Sequence, residues 1–264
     1  GLGDVYKRQG ANVAYLLSQH KLRAAVFEKE NDVSMGTTRA NSAIVHAGYD
    51  PEPGTAMARL NVRGSALTKE QCAAFDVKYR QIGSLVLAFS DEEMATVRRL
   101  YENGVANGVP GVRVLTREET LAMEPNLSDA VCGALYAPSA AIVEPWDLAL
   151  ALAEAAVENG VELHLETAVT GAEKISGGWR LHTAKGDFEA RAVVNAAGVE
   201  ADLVAAMAGE PGFTTIPSRG EYYLLDKSQG YVVNHVVFQC PNRDGKGVLV
   251  SPTVHYNLIV GPNA

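Results

Sequence analysis

The most constraining feature of the sequence is a helical stretch that leads into a short apolar strand ending in an acid. From Gly10 onward, apolar residues recur at the spacing of a helix face, and the strand Ala-Ala-Val-Phe-Glu follows at residues 24–28. A helix that leads directly into a buried strand is typical of the second half of a β-α-β unit, in which helices cover a parallel sheet. This part of the chain is therefore predicted to have an α/β fold.

The spacing between Gly10 and Glu28 fits a dinucleotide-binding site. In such sites a glycine-rich turn places a pyrophosphate at a helix N-terminus, and an acid about 20 residues later accepts hydrogen bonds from ribose hydroxyls. Gly10 fits the third of the three glycines in that pattern, and the first two are absent. Gly1 and Gly3 cannot replace them, because the pattern would then need a glycine at position 6, where Tyr6 stands. An ordinary helix and strand with a surface glutamate fits this partial pattern equally well.

Two stretches of small residues strengthen the dinucleotide interpretation. Residues 192–198, Ala-Val-Val-Asn-Ala-Ala-Gly, are predicted to be a buried strand whose end lets a ligand touch the main chain. The loop 35–48 is rich in small and hydroxyl residues, which suits close approach of the backbone to a ligand. Beyond Pro217 the sequence predicts mainly strands, at 221–225, 232–239, 247–251 and 257–261. The chain is therefore expected to combine an α/β part with an interleaved β-rich part.

Composition and charge exclude several classes of protein. The 264 residues carry 23 Lys and Arg against 31 Asp and Glu, and a net charge of −8 argues against a surface that binds nucleic acid. Cys72, Cys132 and Cys240 have no metal-binding spacing, and their odd number predicts reduced thiols in a cytoplasmic protein. No metal site is expected. The apolar runs fall short of the roughly 20 residues that a membrane span needs, so no transmembrane segment is expected.

Both ends of the sequence are unusual for a complete protein. Residues 1–9 lack an initiator Met and any apolar periodicity, and they resemble the translation of a sequencing adapter, so we expect a non-native leader there. The last residues, an apolar strand and a turn ending at Ala264, carry no polar tail. We therefore expect residues 10–264 to be an interior stretch of a longer protein.

Several of these segments together resemble the flavoprotein oxidoreductases of the D-amino-acid oxidase superfamily, in the branch of glycerol-3-phosphate dehydrogenase (anaerobic type) and L-2-hydroxyglutarate dehydrogenase. The resemblance runs from Gly10 to the last residue and implies an FAD cofactor. It implies an α/β architecture, in which a Rossmann-like FAD-binding domain of the GR2 type interleaves with a β-rich, antiparallel-sheet substrate domain. Its most specific segments are 38–48 (TRANSAIVHAG), 195–198 (NAAG), 219–223 (RGEYY) and 250–262 (VSPTVHYNLIVGP).

The resemblance implies a role for each candidate site residue. Gly10 would face the FAD pyrophosphate, Glu28 the adenosine ribose and Lys29 the edge of the adenine site. Val169 would offer its backbone to the adenine. His46 stands where the family has an active-site histidine beside the flavin, and it would take the proton of the substrate hydroxyl. The other cofactor-lining residues are Thr37, Thr38, Asn41 and Ser42 along the pyrophosphate and flavin, and Ala196, Ala197 and Gly198 beneath the cofactor.

The resemblance also implies a division into domains and a site for a charged substrate group. Residues 10–80 and 145–208 would form the FAD-binding domain, without its first strand, and residues 81–144 and 209–264 the substrate-binding domain. Arg219 would open the first strand of the substrate sheet. Its guanidinium, which stays charged in a partly dry pocket, would hold a phosphate or carboxylate.

The predicted activity is oxidation of a small anionic hydroxy compound by hydride transfer to FAD, with sn-glycerol 3-phosphate giving dihydroxyacetone phosphate as the first candidate. L-2-hydroxyglutarate oxidation is the alternative enzyme activity, and a flavin- or ligand-binding fragment without turnover is the alternative of another class. The sequence leaves open the electron acceptor, a quinone, oxygen or a partner subunit, and the roles of His235 and His255. The expected location is the cytoplasm, with attachment to the inner face of the membrane only through a partner.

Overall fold

The computed structural model describes residues 9–209, 212–241 and 247–263. The expected non-native leader, 1–9, lies outside these residues except for Gln9, which begins the first helix. The helices of the described residues are α1 (Gln9–Ser18), α2 (Ala56–Ala74), α3 (Asp91–Ala106), α4 (Arg117–Met123), α5 (Pro145–Glu158) and α6 (Ala201–Met207). The strands are β1 (Ala25–Phe27), β2 (Ile44–Val45), β3 (Tyr79–Arg80), β4 (Ser84–Ala88), β5 (Arg113–Thr116), β6 (Gly133–Ala137), β7 (Ala141–Val143), β8 (Glu162–His164), β9 (Val169–Ile175), β10 (Gly178–Thr183), β11 (Gly186–Ala190), β12 (Tyr223–Leu225), β13 (Val236–Gln239), β14 (Leu249–Pro252) and β15 (Leu258–Gly261).

The chain folds into two compact units, each made of two separate segments. The crossover unit comprises residues 9–41 and 145–218, and the sheet unit comprises residues 42–144 and 219–263. The sequence places residues 42–80 with the FAD-binding segments, whereas β2 and β3, which lie within them, pair with β7 of the sheet unit. The hydrogen bonds of this small sheet explain the difference in boundary.

The crossover unit contains the predicted helix-to-strand pattern. α1 leads into β1, which pairs in parallel with β8 along its whole length, and α5 precedes β8. Ala14 of α1 packs with Ala156 and Val161 in a small buried cluster. Strand-like segments at 178–183 and 187–191, joined by turn residues, predict a meander. It is present as a separate antiparallel sheet in the order β11, β10, β9. The α/β prediction for this part of the chain is confirmed.

Residues 192–198 differ from the prediction of a buried strand. They form an irregular segment that ends in a 3₁₀ turn at Gly198–Glu200, and Val193 and Val194 are 39% and 62% exposed. Because β1 pairs only with β8 among the described strands, no neighbouring strand offers this segment hydrogen bonds or covers its side chains. The predicted small residues at its end therefore lie on a largely exposed surface.

The sheet unit is built around a seven-stranded sheet in the order β12, β15, β14, β13, β4, β6, β5. Its neighbouring strands are antiparallel except β13 and β4, which run in parallel with Val236 opposite Ser84. Alternate residues of β4 enter two different hydrophobic clusters, so the strand is buried on both faces. The predicted β-rich, mainly antiparallel part is confirmed.

The sequences Ser-Asp-Glu-Glu at 90–93 and Thr-Arg-Glu-Glu at 116–119 predict two helix starts in the sheet unit, and single hydrogen bonds confirm both. Ser90 caps α3 by accepting a hydrogen bond from the amide of Glu93. Thr116 and Glu119 form a reciprocal capping box at α4. Across the described residues of the chain, no helix has both the length and the apolar character needed to span a membrane.

Candidate functional site

The acid that ends the first predicted strand lies beside the parallel strand pair. The amide of Glu28 donates to the carbonyl of His164, and Oε1 of Glu28 accepts a hydrogen bond of 3.0 Å from the amide of Glu30. The side chain is half-buried, and its Oε2 has no hydrogen-bond donor among the described residues. A carboxylate held in this way can accept a hydrogen bond from a ligand hydroxyl.

The connection from β8 to β9 wraps around the end of β1. The amides of Glu166 and Thr167 donate to the carbonyls of Glu30 and Glu28, respectively. The buried hydroxyl of Thr167 donates to a backbone carbonyl two residues earlier, at 2.8 Å. Val169 follows as the first residue of β9. The backbone just before Val169 is thereby tied to the end of β1.

Lys29, predicted at the edge of the adenine site, pairs with a residue that sequence reasoning missed. Its Nζ donates a hydrogen bond of 2.7 Å to Oε1 of Glu200 and lies 3.9 Å from a carboxylate oxygen of Glu30. The hydrogen bond to Glu200 raises the pKa of Lys29 above its usual value. Because Glu200 follows Gly198 by two positions, the pair joins the end of β1 to the small-residue segment. No motif in the sequence indicates Glu200.

The small-residue segment Ala196, Ala197 and Gly198 is shaped by Asn195. Its Oδ1 accepts a hydrogen bond from the amide of Ala197, and its Nδ2 donates to a carbonyl at the start of α6, at 3.2 and 2.7 Å. Gly198 has a φ of 60°, in the left-handed region, and a Cβ there would meet no atom within 4 Å. A Cβ at Gly10 would lie 3.7 Å from the Cβ of Ala196. Gly10 and the small-residue segment are therefore brought together.

Thr37, Thr38 and Asn41 occupy one turn at the end of the first segment of the crossover unit. The two threonines begin a 3₁₀ helix, Thr37–Arg39. Nδ2 of Asn41 donates to the carbonyls of Thr38 and Thr37, at 2.5 and 3.2 Å. Thr38 is buried and Thr37 is exposed. Three predicted cofactor residues are thus fixed relative to one another.

Ser42 and His46 belong to the sheet unit. Ser42 is buried, and Ala43 after it has a φ of 59°, a conformation that costs energy for a residue with a side chain. The carbonyl of Ala43 accepts a hydrogen bond from the amide of Val143, and β2 then pairs with β7. His46 stands directly after β2. Its half-buried ring stacks on Phe238, with 5.8 Å between ring centroids and 25° between ring planes.

Arg219 lies in the coil before β12 rather than at the start of a strand. Its side chain is 84% exposed, and its Nη2 donates a hydrogen bond of 2.5 Å to Oε1 of Glu221. Glu221 is its one ion-pair partner in the described part of the chain. The structure does not bring Arg219 into contact with His46.

The two histidines whose roles the sequence leaves open each pair with a buried glutamate. Nδ1 of His235 lies 2.6 Å from Oε1 of Glu124, and Nε2 of His255 lies 2.7 Å from Oε1 of Glu144. Sequence reasoning missed both glutamates, although each ends an apolar stretch and directly precedes a proline. Among the described residues, no three His, Cys, Asp or Glu side chains are grouped so that they could hold a metal ion.

Comparisons with known proteins identify relatives along nearly the whole chain. The family model DAO, FAD dependent oxidoreductase, matches residues 9–264. The chain is 49% identical over 255 residues to a glycerol 3-phosphate dehydrogenase from Caloramator mitchellensis, covering 97% of this chain and 53% of that relative. It is 32% identical over 246 residues to L-2-hydroxyglutarate dehydrogenase from Escherichia coli K12, covering 92% of this chain and 58% of that relative.

A solved structure with a similar fold is the dithionite-reduced L-alpha-glycerophosphate oxidase from Mycoplasma pneumoniae with FAD bound. The TM-score is 0.89 at 30% sequence identity, covering 99% of this chain and 69% of that chain. The present chain spans about half the length of the first dehydrogenase relative. The family match confirms the resemblance, including FAD as the cofactor of the family. This chain belongs to the DAO family of FAD dependent oxidoreductases.

Proposed function

We propose that this chain is part of an FAD-dependent dehydrogenase that oxidises sn-glycerol 3-phosphate to dihydroxyacetone phosphate. The observation that carries the proposal is the 49% identity to a glycerol 3-phosphate dehydrogenase over 255 residues. The identity to an L-2-hydroxyglutarate dehydrogenase is 32% over 246 residues. Because both substrates are small anionic hydroxy compounds, oxidation of L-2-hydroxyglutarate is the competing activity.

The crossover unit has features that fit a dinucleotide cofactor. Glu28 offers a carboxylate oxygen without a donor at the end of β1, where dinucleotide-binding folds bind ribose hydroxyls. At Gly198 and Gly36 a Cβ would meet open space, so a pyrophosphate or a ring can approach the backbone closely. Ser42 is the proposed FAD contact in the sheet unit. In the crossover unit the proposed FAD contacts are Gly10, Glu28, Lys29, Thr37, Thr38, Asn41, Val169, Ala196, Ala197 and Gly198.

His46 is proposed to take the proton of the substrate hydroxyl. An imidazole titrates near neutral pH, so it can hold that proton and release it to solvent afterwards. The paired strand before His46 fixes its backbone, and the ring of Phe238 lies beside its side chain. FAD, when bound, supplies the acceptor for the two electrons of the carbon–hydrogen bond.

Arg219 is proposed to bind the phosphate group of the substrate. In a chain with a net charge of −8, an anionic substrate needs a positive group close to it. A guanidinium can donate two parallel hydrogen bonds to a phosphate. When the substrate binds, Arg219 would therefore exchange its exposed ion pair with Glu221 for a stronger, bidentate pair with the phosphate.

The proposal includes a separate electron acceptor, because two electrons must leave the enzyme in each turnover. A quinone, oxygen or a partner protein can each take them, and a partner would provide any attachment to a membrane. Turnover measured with each acceptor in turn distinguishes the three.

The proposed activity can be tested by flavin absorbance in the complete natural protein, kept anaerobic. We expect a bound-flavin spectrum that bleaches on addition of sn-glycerol 3-phosphate and is unchanged by L-2-hydroxyglutarate. If only L-2-hydroxyglutarate bleaches the flavin, it is the substrate in place of sn-glycerol 3-phosphate. Bound flavin that neither compound bleaches would indicate a binding protein without turnover, and absence of flavin would overturn the whole proposal.

Replacement of the proposed base tests its role in the same assay. His46→Gln should retain bound flavin and slow bleaching by about 100-fold or more, because general base catalysis contributes roughly 10²–10⁴-fold. Stopped-flow absorbance measures the rate. His20→Gln, which changes an exposed histidine near the end of α1, is the matched control and should bleach at the normal rate. A normal rate in His46→Gln would remove His46 from the mechanism.

A further inference from the structure

The backbone on both sides of His46 is held tightly, so the orientation of its side chain depends on what touches the ring. Before it, Ile44 and Val45 are buried in the small sheet. After it, Ala47 is buried and Gly48 has a φ of 108°, with no room for a Cβ against the side chain of Val62. These contacts fix the main chain and leave the two side-chain torsions of the histidine to be set by its surroundings.

Phe238 places an aromatic ring beside the imidazole of His46. Its ring is stacked on that of His46, 5.8 Å away between centroids and inclined by 25°. Phe238 lies on β13 in the interior of the seven-stranded sheet, opposite Leu249 on one side and Val86 on the other. Its ring packs against two hydrophobic clusters, so its own position is well defined. A well-placed aromatic ring therefore lies beside the imidazole in an offset, nearly parallel arrangement.

We infer that Phe238 is a positioning residue for His46, and this inference rests on the proposed function. A base acts only if its nitrogen is held within about 0.5 Å and 10–20° of the working geometry. Stacking on a flat ring restricts rotation about the second torsion of the histidine, because tilting the imidazole would drive it into the phenyl face. Phe238 thus acts through His46 and needs no contact with substrate.

The test compares variants that keep or lose the flat ring, in the complete natural protein. Phe238→Leu should lower kcat for sn-glycerol 3-phosphate about tenfold and leave KM within about twofold, because misplacing a base by a fraction of an ångström has effects of this order. Phe238→Tyr should restore kcat to within about twofold. Phe89→Leu, the same change at a half-exposed phenylalanine of the sheet unit, is the control and should leave kcat unchanged.

A double-mutant comparison separates positioning from a general loss of structure. In the His46→Gln background, Phe238→Leu should have no further effect on kcat, because there is no imidazole left to orient. A further tenfold loss in that background, an unchanged kcat in Phe238→Leu alone, or a change confined to KM would each overturn the inference. If Phe238→Leu fails to fold, Phe238→Met, whose flexible side chain adapts to the space without a flat ring, takes its place with the same expected results.

A spectroscopic measurement keeps the inference testable even if the proposed substrate is wrong. The ring current of Phe238 should shift the NMR signals of the His46 ring protons, which His46→Gln identifies by their loss. This shift should disappear in Phe238→Leu and persist in Phe238→Tyr. Signals that do not move in Phe238→Leu would mean that the stacked contact is absent and would overturn the inference. A failure of the proposed function alone would leave these signals as expected.

Discussion

Two histidine–glutamate pairs in the sheet unit use the same residue types in different ways. Glu124, only 1% exposed, accepts hydrogen bonds at both oxygens, from the amides of Asn234 and His235 and from the ring of His235. Glu144, 4% exposed, accepts one hydrogen bond from His255 at Oε1. Its Oε2 has no hydrogen-bond partner among the described residues.

The difference also fixes two different forms of the histidines. Because a carboxylate can only accept, the proton that it binds lies on Nδ1 of His235 but on Nε2 of His255. Nδ1 of His255 lies 3.4 Å from Nζ of Lys78, and because an ammonium can only donate, this nitrogen is the acceptor of that contact. The first pair fastens a loop by its backbone, whereas the second connects side chains and leaves a buried oxygen unsatisfied. A buried carboxylate stabilises a fold only to the extent that both of its oxygens have partners.

The largest effect is expected where the carboxylate is fully used. Glu124→Gln should lower the free energy of unfolding by about 3 kcal/mol, because its amide nitrogen would face N–H donors on either side. Urea unfolding measures the loss, and hydrogen exchange should speed up at the amides of Asn234 and His235. Glu92→Gln, at an exposed position in the first turn of α3, is the control and should have almost no effect. A decrease in the free energy of unfolding of less than about 1 kcal/mol would contradict the role of Glu124 in holding the backbone of Asn234 and His235.

The same substitution in the second pair should cost much less. Glu144→Gln can keep a carbonyl oxygen toward His255 and place its amide nitrogen where Oε2 has no donor, so we expect a change of about 1 kcal/mol or less in the free energy of unfolding. The measurement is urea unfolding beside Glu124→Gln. Equal losses in the two variants would mean that the two pairs do not differ in the way their geometry indicates.

The smallest effect is expected at Lys78, which lies beside the pair of His255 and Glu144. Nζ of Lys78 lies 3.8 Å from Oε2 of Glu144, and its side chain is 59% exposed. Lys78→Met should therefore change the free energy of unfolding by about 0.5 kcal/mol, because water and salt screen such contacts. The difference from the unsubstituted protein should shrink further in about 0.5 M salt. A loss that is larger and independent of salt would show that Lys78 is an essential partner of Glu144.

The sequence predicts what depends on neighbouring residues and misses what depends on distant ones. The caps at Ser90 and Thr116 follow from local patterns, and both are present. Glu124 and Glu144 could not be identified, because each meets its histidine 111 positions further along the chain. A buried acid is also rare enough that an acid before a proline is normally taken as a surface residue.

The candidate site shows the same division between local and distant information. The turn around Thr38 and the glycine at 198 are set by nearby residues, and the sequence points to both. The local composition of segment 192–198 predicts burial, and this prediction is wrong because burial requires a neighbouring strand that local composition does not reveal. The hydrogen bond between Lys29 and Glu200, which follows this segment, likewise depends on the tertiary fold.

The parallel pairing of β4 with β13 has a consequence for synthesis of the protein. β4 ends at Ala88 and β13 begins at Val236, so nearly 150 residues leave the ribosome between the two partners. At about 5–20 residues per second, β4 waits on the order of ten seconds with one edge unpaired. Unpaired strand edges are where chains join one another and aggregate. Nascent chains that stop short of Val236 should therefore bind chaperones more strongly than those that extend past Gln239.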